Sequence, residues 1–187
     1  MADDAPPTTS KLDAVAAEAK KALGDAQGQL IGKSVTINKP AAELWAFWRD
    51  FSNLPHFMEN IVSIEVRDDT LSHWVVKGPG GKQVEWNARV TDEAPGQFIA
   101  WEAEPGADVK NAGRVEFKDA GKRGTVVTAE IVYEPPAGII GRLIAGAFQR
   151  EPGIQARRDL RRFKQLMEAG EIATPAKNRK EFEEMGL

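Results

Sequence analysis

A chain of 187 residues, 42% hydrophobic and 28% charged, has the size of one domain with flexible ends and lies far from the polar, highly charged compositions that cannot form a core. Its formal charge of −3 gives no general attraction to a polyanion, so nucleic acid is not an expected partner. The absence of cysteine excludes disulfides, thiolate nucleophiles and cysteine-ligated metal, and suits a reducing compartment.

The opening MADDAPPTTS has neither the basic start nor the apolar stretch of a secretory signal, and no run approaches the roughly 18 apolar residues of a membrane span. A cytoplasmic protein is expected. These first ten residues carry too little apolar surface to offset the entropy of ordering them. From Ser10, Leu12, Val15, Ala16, Ala19 and Leu23 follow the three-and-four spacing of a helix face, before Gly24, Gly28 and Gly32 weaken the pattern. A short helix is expected there, loosely docked or meeting a partner subunit.

At residues 34–39 the period changes to two, with Val35 and Ile37 alternating against polar neighbours, which predicts a half-buried strand. Pro40 ends it and suits the first turn of a helix to about Asp50, with Glu43 near the positive end and Leu44, Phe47, Trp48 and Phe51 on the apolar face. Ser52-Asn53-Leu54-Pro55 breaks that helix and predicts a second short one carrying Phe57 and Met58. Strands are then expected at 61–67, 72–77, 83–91, 98–103, 113–117 and 125–133, separated by turn residues such as Gly78–Lys82, Pro95-Gly96 and Ala120-Gly121-Lys122.

Alternation places Trp74, Val76, Val84, Trp86, Ala88, Val90, Ile99, Trp101, Val115, Phe117, Val127, Ala129, Ile131 and Tyr133 on one face. Lys77, Glu85, Asn87, Arg89, Glu102, Arg114, Glu116, Glu130 and Glu134 fall on the other. A sheet with one apolar face needs a cover. The helical pattern that follows Pro135-Pro136-Ala137-Gly138, restarting at Pro152 with Ile154, Leu160, Phe163, Leu166 and Met167, supplies it. About 17 residues, roughly 26 Å, suffice to cross the sheet, and Gly170 is placed to terminate the helix.

The segments PAAELWAFWRDFSNLPHFM, SHWVVKGPGGKQVEW, FIAWEAEPG and RRDLRRFKQLME resemble the START-like superfamily often abbreviated SRPBCC, in particular its bacterial polyketide cyclase/dehydrase and coenzyme-Q-binding-like group. The resemblance covers about residues 33–170. It implies an α+β helix-grip fold, in which a curved seven-stranded antiparallel sheet surrounds a long C-terminal helix and two small helices follow the first strand. It also implies a cavity for a lipid, quinone, polyketide or hormone-like ligand, and in a minority of members cyclisation or dehydration. Residues 1–32 are then a partly mobile N-terminal extension with a short helix, and 171–187 a charged tail.

A curved sheet and one helix leave a gap that large rings can line. Trp74, Trp86, Trp101, Phe117 and Tyr133 are the candidates, against the plainer alternative that they fill the core. Ile140, Ile144 and Phe148 in GIIGRLIAGAF extend the lining. That segment reads either as the buried start of the closing helix or as a gate that touches a membrane surface transiently.

His56, near the expected cavity mouth, and Tyr133 are the weak catalytic candidates, whereas His73 falls on the wet face. No metal-ligand spacing, Gly-X-Ser-X-Gly elbow or cofactor motif occurs. Gly78–Lys82 joins two strands, so it reads as a hairpin turn, and Glu85 with Arg89 as part of a solvated charge ladder. Arg157, Arg158, Arg161, Arg162 and Lys164 read as a solvated basic face that can also meet acidic headgroups or a partner. The leading expectation is enclosure of a hydrophobic small molecule without catalysis. The alternatives are a cyclase/dehydrase-type enzyme using the same cavity, and an interaction protein with a vestigial pocket that forms homo-oligomers through its terminal extensions.

Overall fold

The computed structural model describes residues 29–78, 82–134 and 152–173. The expected N-terminal helix, the tip of the Gly78–Lys82 turn, the apolar segment at 138–148 and most of the charged tail lie outside the described residues.

The strands are β1 (Gln29–Ile37), β2 (Ile61–Val66), β3 (Leu71–Lys77), β4 (Gln83–Ala94), β5 (Phe98–Ala103), β6 (Lys110–Asp119) and β7 (Thr125–Glu134). They form one seven-stranded antiparallel sheet in the order β1-β7-β6-β5-β4-β3-β2. β2 to β7 follow one another as hairpins, whereas β1 and β2 occupy opposite edges. The chain between those two must therefore travel from one edge to the other, and helix α1 (Ala41–Arg49) and a 3-10 helix (Phe51–His56) make the crossing.

β1 starts well before the expected strand at 34–39, because β7 offers a continuous ladder from Tyr133 opposite Gln29 to Thr125 opposite Ile37. Backbone pairing outweighs the weak strand preference of Gly32. β4 runs past Thr91 to Ala94, and its register shifts between Val90 and Asp92, with a second shift in β2 between Ile61 and Ser63. Bulges of this kind bend a strand and raise its twist, which is how the sheet curls.

α1 begins at Pro40, whose carbonyl accepts from Glu43 and Leu44 N–H. Leu44 and Trp48 are its buried pair, and Trp45 Nε1 donates to the Phe98 carbonyl at 3.0 Å, tying α1 to β5. The expected second α-helix is instead the 3-10 helix, which ends before Phe57 and Met58. Asp50 stops α1 by turning extended, and its carboxylate accepts from Ser52 N–H at 3.1 Å, the local bond by which Asp competes with a continuing helix.

Cross-strand register confirms the dry face: Trp74 opposes Trp86, Val76 opposes Val84, Ile99 opposes Val115, and Phe117 opposes Val127. Helix α2 (Pro152–Ala169) lies against it, burying Leu160 and Phe163. The Phe163 ring meets Phe57 at 4.8 Å and the edge of Trp48 at 5.1 Å, within a core that includes Leu44, Leu54, Ile99, Val115 and Val127. Burying such a ring contributes about 2–3 kcal/mol. Gly170 ends the helix at φ 75°, its N–H donating to the Leu166 carbonyl at 2.9 Å.

The basic run on α2 is not one solvated face. Arg162 Nε donates to the Phe57 carbonyl at 3.0 Å, and Lys164 Nζ donates to the Thr36 carbonyl at 2.7 Å. The first acceptor is a loop carbonyl just before β2 and the second belongs to edge strand β1, where the ladder runs on one side only, while Arg157 and Arg161 are exposed.

Candidate ligand-binding site

Away from the Phe163 cluster the dry face is built from rings around small side chains. Ser72, Ala88 and Ala103 stand side by side across β3, β4 and β5. The Trp74–Trp86 pair flanks that row on one side, and the Val90–Trp101 pair flanks it on the other. Trp74 and Trp86 stack with centroids 6.2 Å apart and planes 12° apart. Trp74 Nε1 donates to Ser72 Oγ at 2.8 Å, which fixes the ring over that buried hydroxyl.

Trp101 lies over Gly113, its cross-strand neighbour. A Cβ at Gly113 would overlap the indole and come within 2.8 Å of the Glu130 carbonyl, so this close approach requires glycine. Asn111 and Tyr133 face each other across β6 and β7, with 7% and 6% exposure. Asn111 Nδ2 donates to the Val109 carbonyl at 3.0 Å. Burial pushes the Tyr133 phenol up, so it stays protonated at neutral pH.

Of the candidate lining residues, Trp74, Trp86 and Trp101 are half-buried on this face. Tyr133 packs with Val76, Val84, Val109 and Trp86 in a second apolar cluster. Phe117 is deep in the main core, edge-on to Trp48 at 6.2 Å. Ile140, Ile144 and Phe148 lie outside the described residues. His56 is exposed at the end of the 3-10 helix. His73 is on the outer face, its Nδ1 2.9 Å from Asn87 Oδ1 and its Nε2 3.6 Å from Glu85. Arg89 of the outer ladder pairs with Glu104 at 2.6 Å.

Three inner-face polar residues escaped the sequence reading, although its own periodicities reach them. Lys33 alternates with Val35 and Ile37, and Asn111 with Gly113 and Val115. Asp159 precedes Leu160 and lies four residues before Phe163, on the apolar seam of α2. Asp159 accepts from Gln155 Nε2 at 2.8 Å. Its carboxyl is pushed up to about 7, chiefly by burial and further by the neighbouring Glu59 charge, against the pull of hydrogen bonds from Gln155 and the Glu59 N–H and of Arg162.

The outer face also departs from expectation at Glu130, which is 7% exposed rather than solvated. Burial first, then Glu116, pushes its carboxyl up, opposed by Arg114. A solvent-open depression of about 330 Å³ lies outside the sheet at Asn38, Lys39, Pro40, Asp119, Gly121 and Gly124. Its two charged residues are already engaged, Lys39 with Glu43 at 3.0 Å and Asp119 with the Gly121 N–H at 3.0 Å. Among the described residues, no group of three or more His, Asp or Glu side chains could hold a metal, and no helix is long and apolar enough to cross a membrane.

The family model described as polyketide cyclase / dehydrase and lipid transport matches residues 37–161. An uncharacterized 17.2 kDa protein of Streptomyces lincolnensis is 29% identical over 140 residues, covering 74% of this chain and 89% of its own. A Deinococcus radiodurans crystal structure superposes with a TM-score of 0.62 at 40% identity, covering 76% of this chain and all (100%) of that one. The Zhui aromatase/cyclase of Streptomyces sp. R1128 shares the fold, with a TM-score of 0.61 at 14% identity over 79% of this chain and 100% of its own. The chain belongs to the polyketide cyclase / dehydrase and lipid transport family.

Proposed function

We propose that this family member encloses a hydrophobic small molecule, of lipid, quinone or polyketide-like character, between the dry face of the sheet and the closing helix, and binds or carries it without chemical change. The observation that supports this reading is the incomplete burial of three large rings on the inner face. Trp74, Trp86 and Trp101 are only half-buried although they stand on the dry face, around a floor of Ser72, Ala88 and Ala103. Large apolar rings left partly uncovered over small neighbours gain free energy when a ligand removes them from water, at about 25 cal/mol per Å² of apolar surface.

The family description also embraces cyclases and dehydrases, which require a group that moves a proton inside the enclosure. The polar side chains along the row from Ser72 through Ala88 and Ala103 are Ser72, Asn111 and Tyr133, and none of these exchanges protons readily near neutral pH. Asp159 on the closing helix, pushed up to about 7, does so, but its carboxyl is engaged by Gln155 and the Glu59 N–H of the loop rather than by that row, which favours binding over reaction.

Native mass spectrometry of protein purified from its own host, followed by organic extraction, tests the reading. A stoichiometric apolar compound released on denaturation is the expected result. A protein that carries none, and that leaves tryptophan fluorescence unchanged with a panel of lipids, quinones and polyaromatic compounds, would contradict it.

A further inference from the structure

Helix α2 is fastened to the sheet at two places. Near its C-terminal end, Lys164 Nζ holds the Thr36 carbonyl and Glu168 Oε1 accepts from Asn38 N–H at 2.6 Å. Near its other end, Arg158, Asp159 and Arg162 meet the loop that joins the 3-10 helix to β2. There Arg162 holds the Phe57 carbonyl through Nε and Glu59 Oε1 through a terminal nitrogen at 2.8 Å, while Arg158 stands 3.5 Å from Glu59 Oε2. Asp159 sits between them, accepting from Gln155 and from the backbone N–H of Glu59, so that its carboxyl lies beside the Glu59 charge. Among the described residues, the charged groups acting on Asp159 are Glu59 from the facing loop and Arg162 from its own helix.

We propose that this seam is a proton-operated clasp: with Asp159 protonated the first half of α2 is held to the loop at Phe57–Glu59, and ionisation of Asp159 beside Glu59 loosens it, widening entry to the space behind the helix. The consequence for entry rests on the binding reading above, whereas the loosening of the helix does not.

The direction follows from linkage. Docked, the Asp159 carboxyl titrates near 7; undocked and solvated, it returns to its ordinary 3.8. A carboxyl raised in the docked state favours docking fully below its free value, and that contribution is lost as pH rises through the docked value. The opening equilibrium therefore increases by up to about tenfold per pH unit between roughly pH 4 and 7, and levels off above that. Glu168 has the opposite sense, since the Asn38 N–H and then Lys164 hold its carboxyl below the usual range. Held below its ordinary 4.5, it is already ionised across pH 5.5–7.

Native-state amide hydrogen exchange of the ligand-free full chain, corrected for the intrinsic pH dependence of exchange, reads the clasp directly. The amides of 156–163 and 58–60 are expected to show an opening constant that rises about ten- to thirtyfold from pH 5.5 to 7 and is then flat. Asp159→Asn, which keeps the shape and an acceptor but cannot ionise, is expected to hold the low-pH value throughout. A flat profile in the unmodified protein overturns the proposal without any variant, and so does an Asp159→Asn profile that still rises. Because no ligand takes part, failure to recover a bound compound leaves this result standing, and the two readings fail separately.

Discussion

Gly113 shows how one missing Cβ sets the position of a ring on the dry face. The Trp101 indole occupies the volume a side chain would need, with the Glu130 carbonyl on the other side, so neither backbone nor ring can yield cheaply. Gly113→Ala is expected to destabilise the fold by about 1–3 kcal/mol and to displace the indole. Urea unfolding checks the first effect and a change in native tryptophan emission the second; unchanged stability and emission would place Trp101 elsewhere. Alternation could assign Trp101 to the dry face, but it carries no information on which neighbour must be small. That depends on cross-strand register.

The closing helix illustrates how one element divides its work. Phe163 is fully buried against Trp48 and Phe57, and truncation leaves a cavity that these rings cannot close. Phe163→Ala is therefore expected to cost about 3–5 kcal/mol. Lys164→Met retains the aliphatic stem but leaves the Thr36 carbonyl without its donor, and is expected to cost about 0.5–1.5 kcal/mol. Both are read from urea midpoints, and equal costs would mean that the helix is held by polar staples as much as by its core. The helix itself was legible from its three-and-four spacing. Its staples were not, because Arg162 and Lys164 look like their solvated neighbours until the positions of the Phe57 and Thr36 carbonyls are known.

At the scale of the molecule, charge and burial set a pH profile. Asp159 and Glu130 carry raised carboxyl pKa values from burial. Their contribution to stability is present at low pH and lost as pH rises, for Asp159 through about 7. Glu168 and Asp68 are lowered by backbone N–H donors, so theirs is present at neutral pH and lost as pH falls below the ordinary carboxylate range. The opposing slopes cross near the free carboxylate values and place maximum thermal stability near about pH 4–5, with a fall on the order of 1–3 kcal/mol by pH 8 carried by Asp159. Melting temperatures across pH 4–9 check this, and a maximum at pH 8 would contradict it.

Local periodicity determined the architecture: period two gave six hairpin-linked strands and their dry face, the three-and-four pattern gave the closing helix, and proline and glycine marked the breaks. These features are legible because they repeat along the chain. The tertiary structure decided what depends on one residue meeting another far away. The β7 ladder extended β1 to Gln29, the bulge after Val90 curled the sheet, and the loop at Phe57–Glu59 turned Asp159 from a surface-looking acid into a half-buried one. A carboxyl's chemistry is set by its distance from water and from other charges, and those distances exist only after the chain has folded.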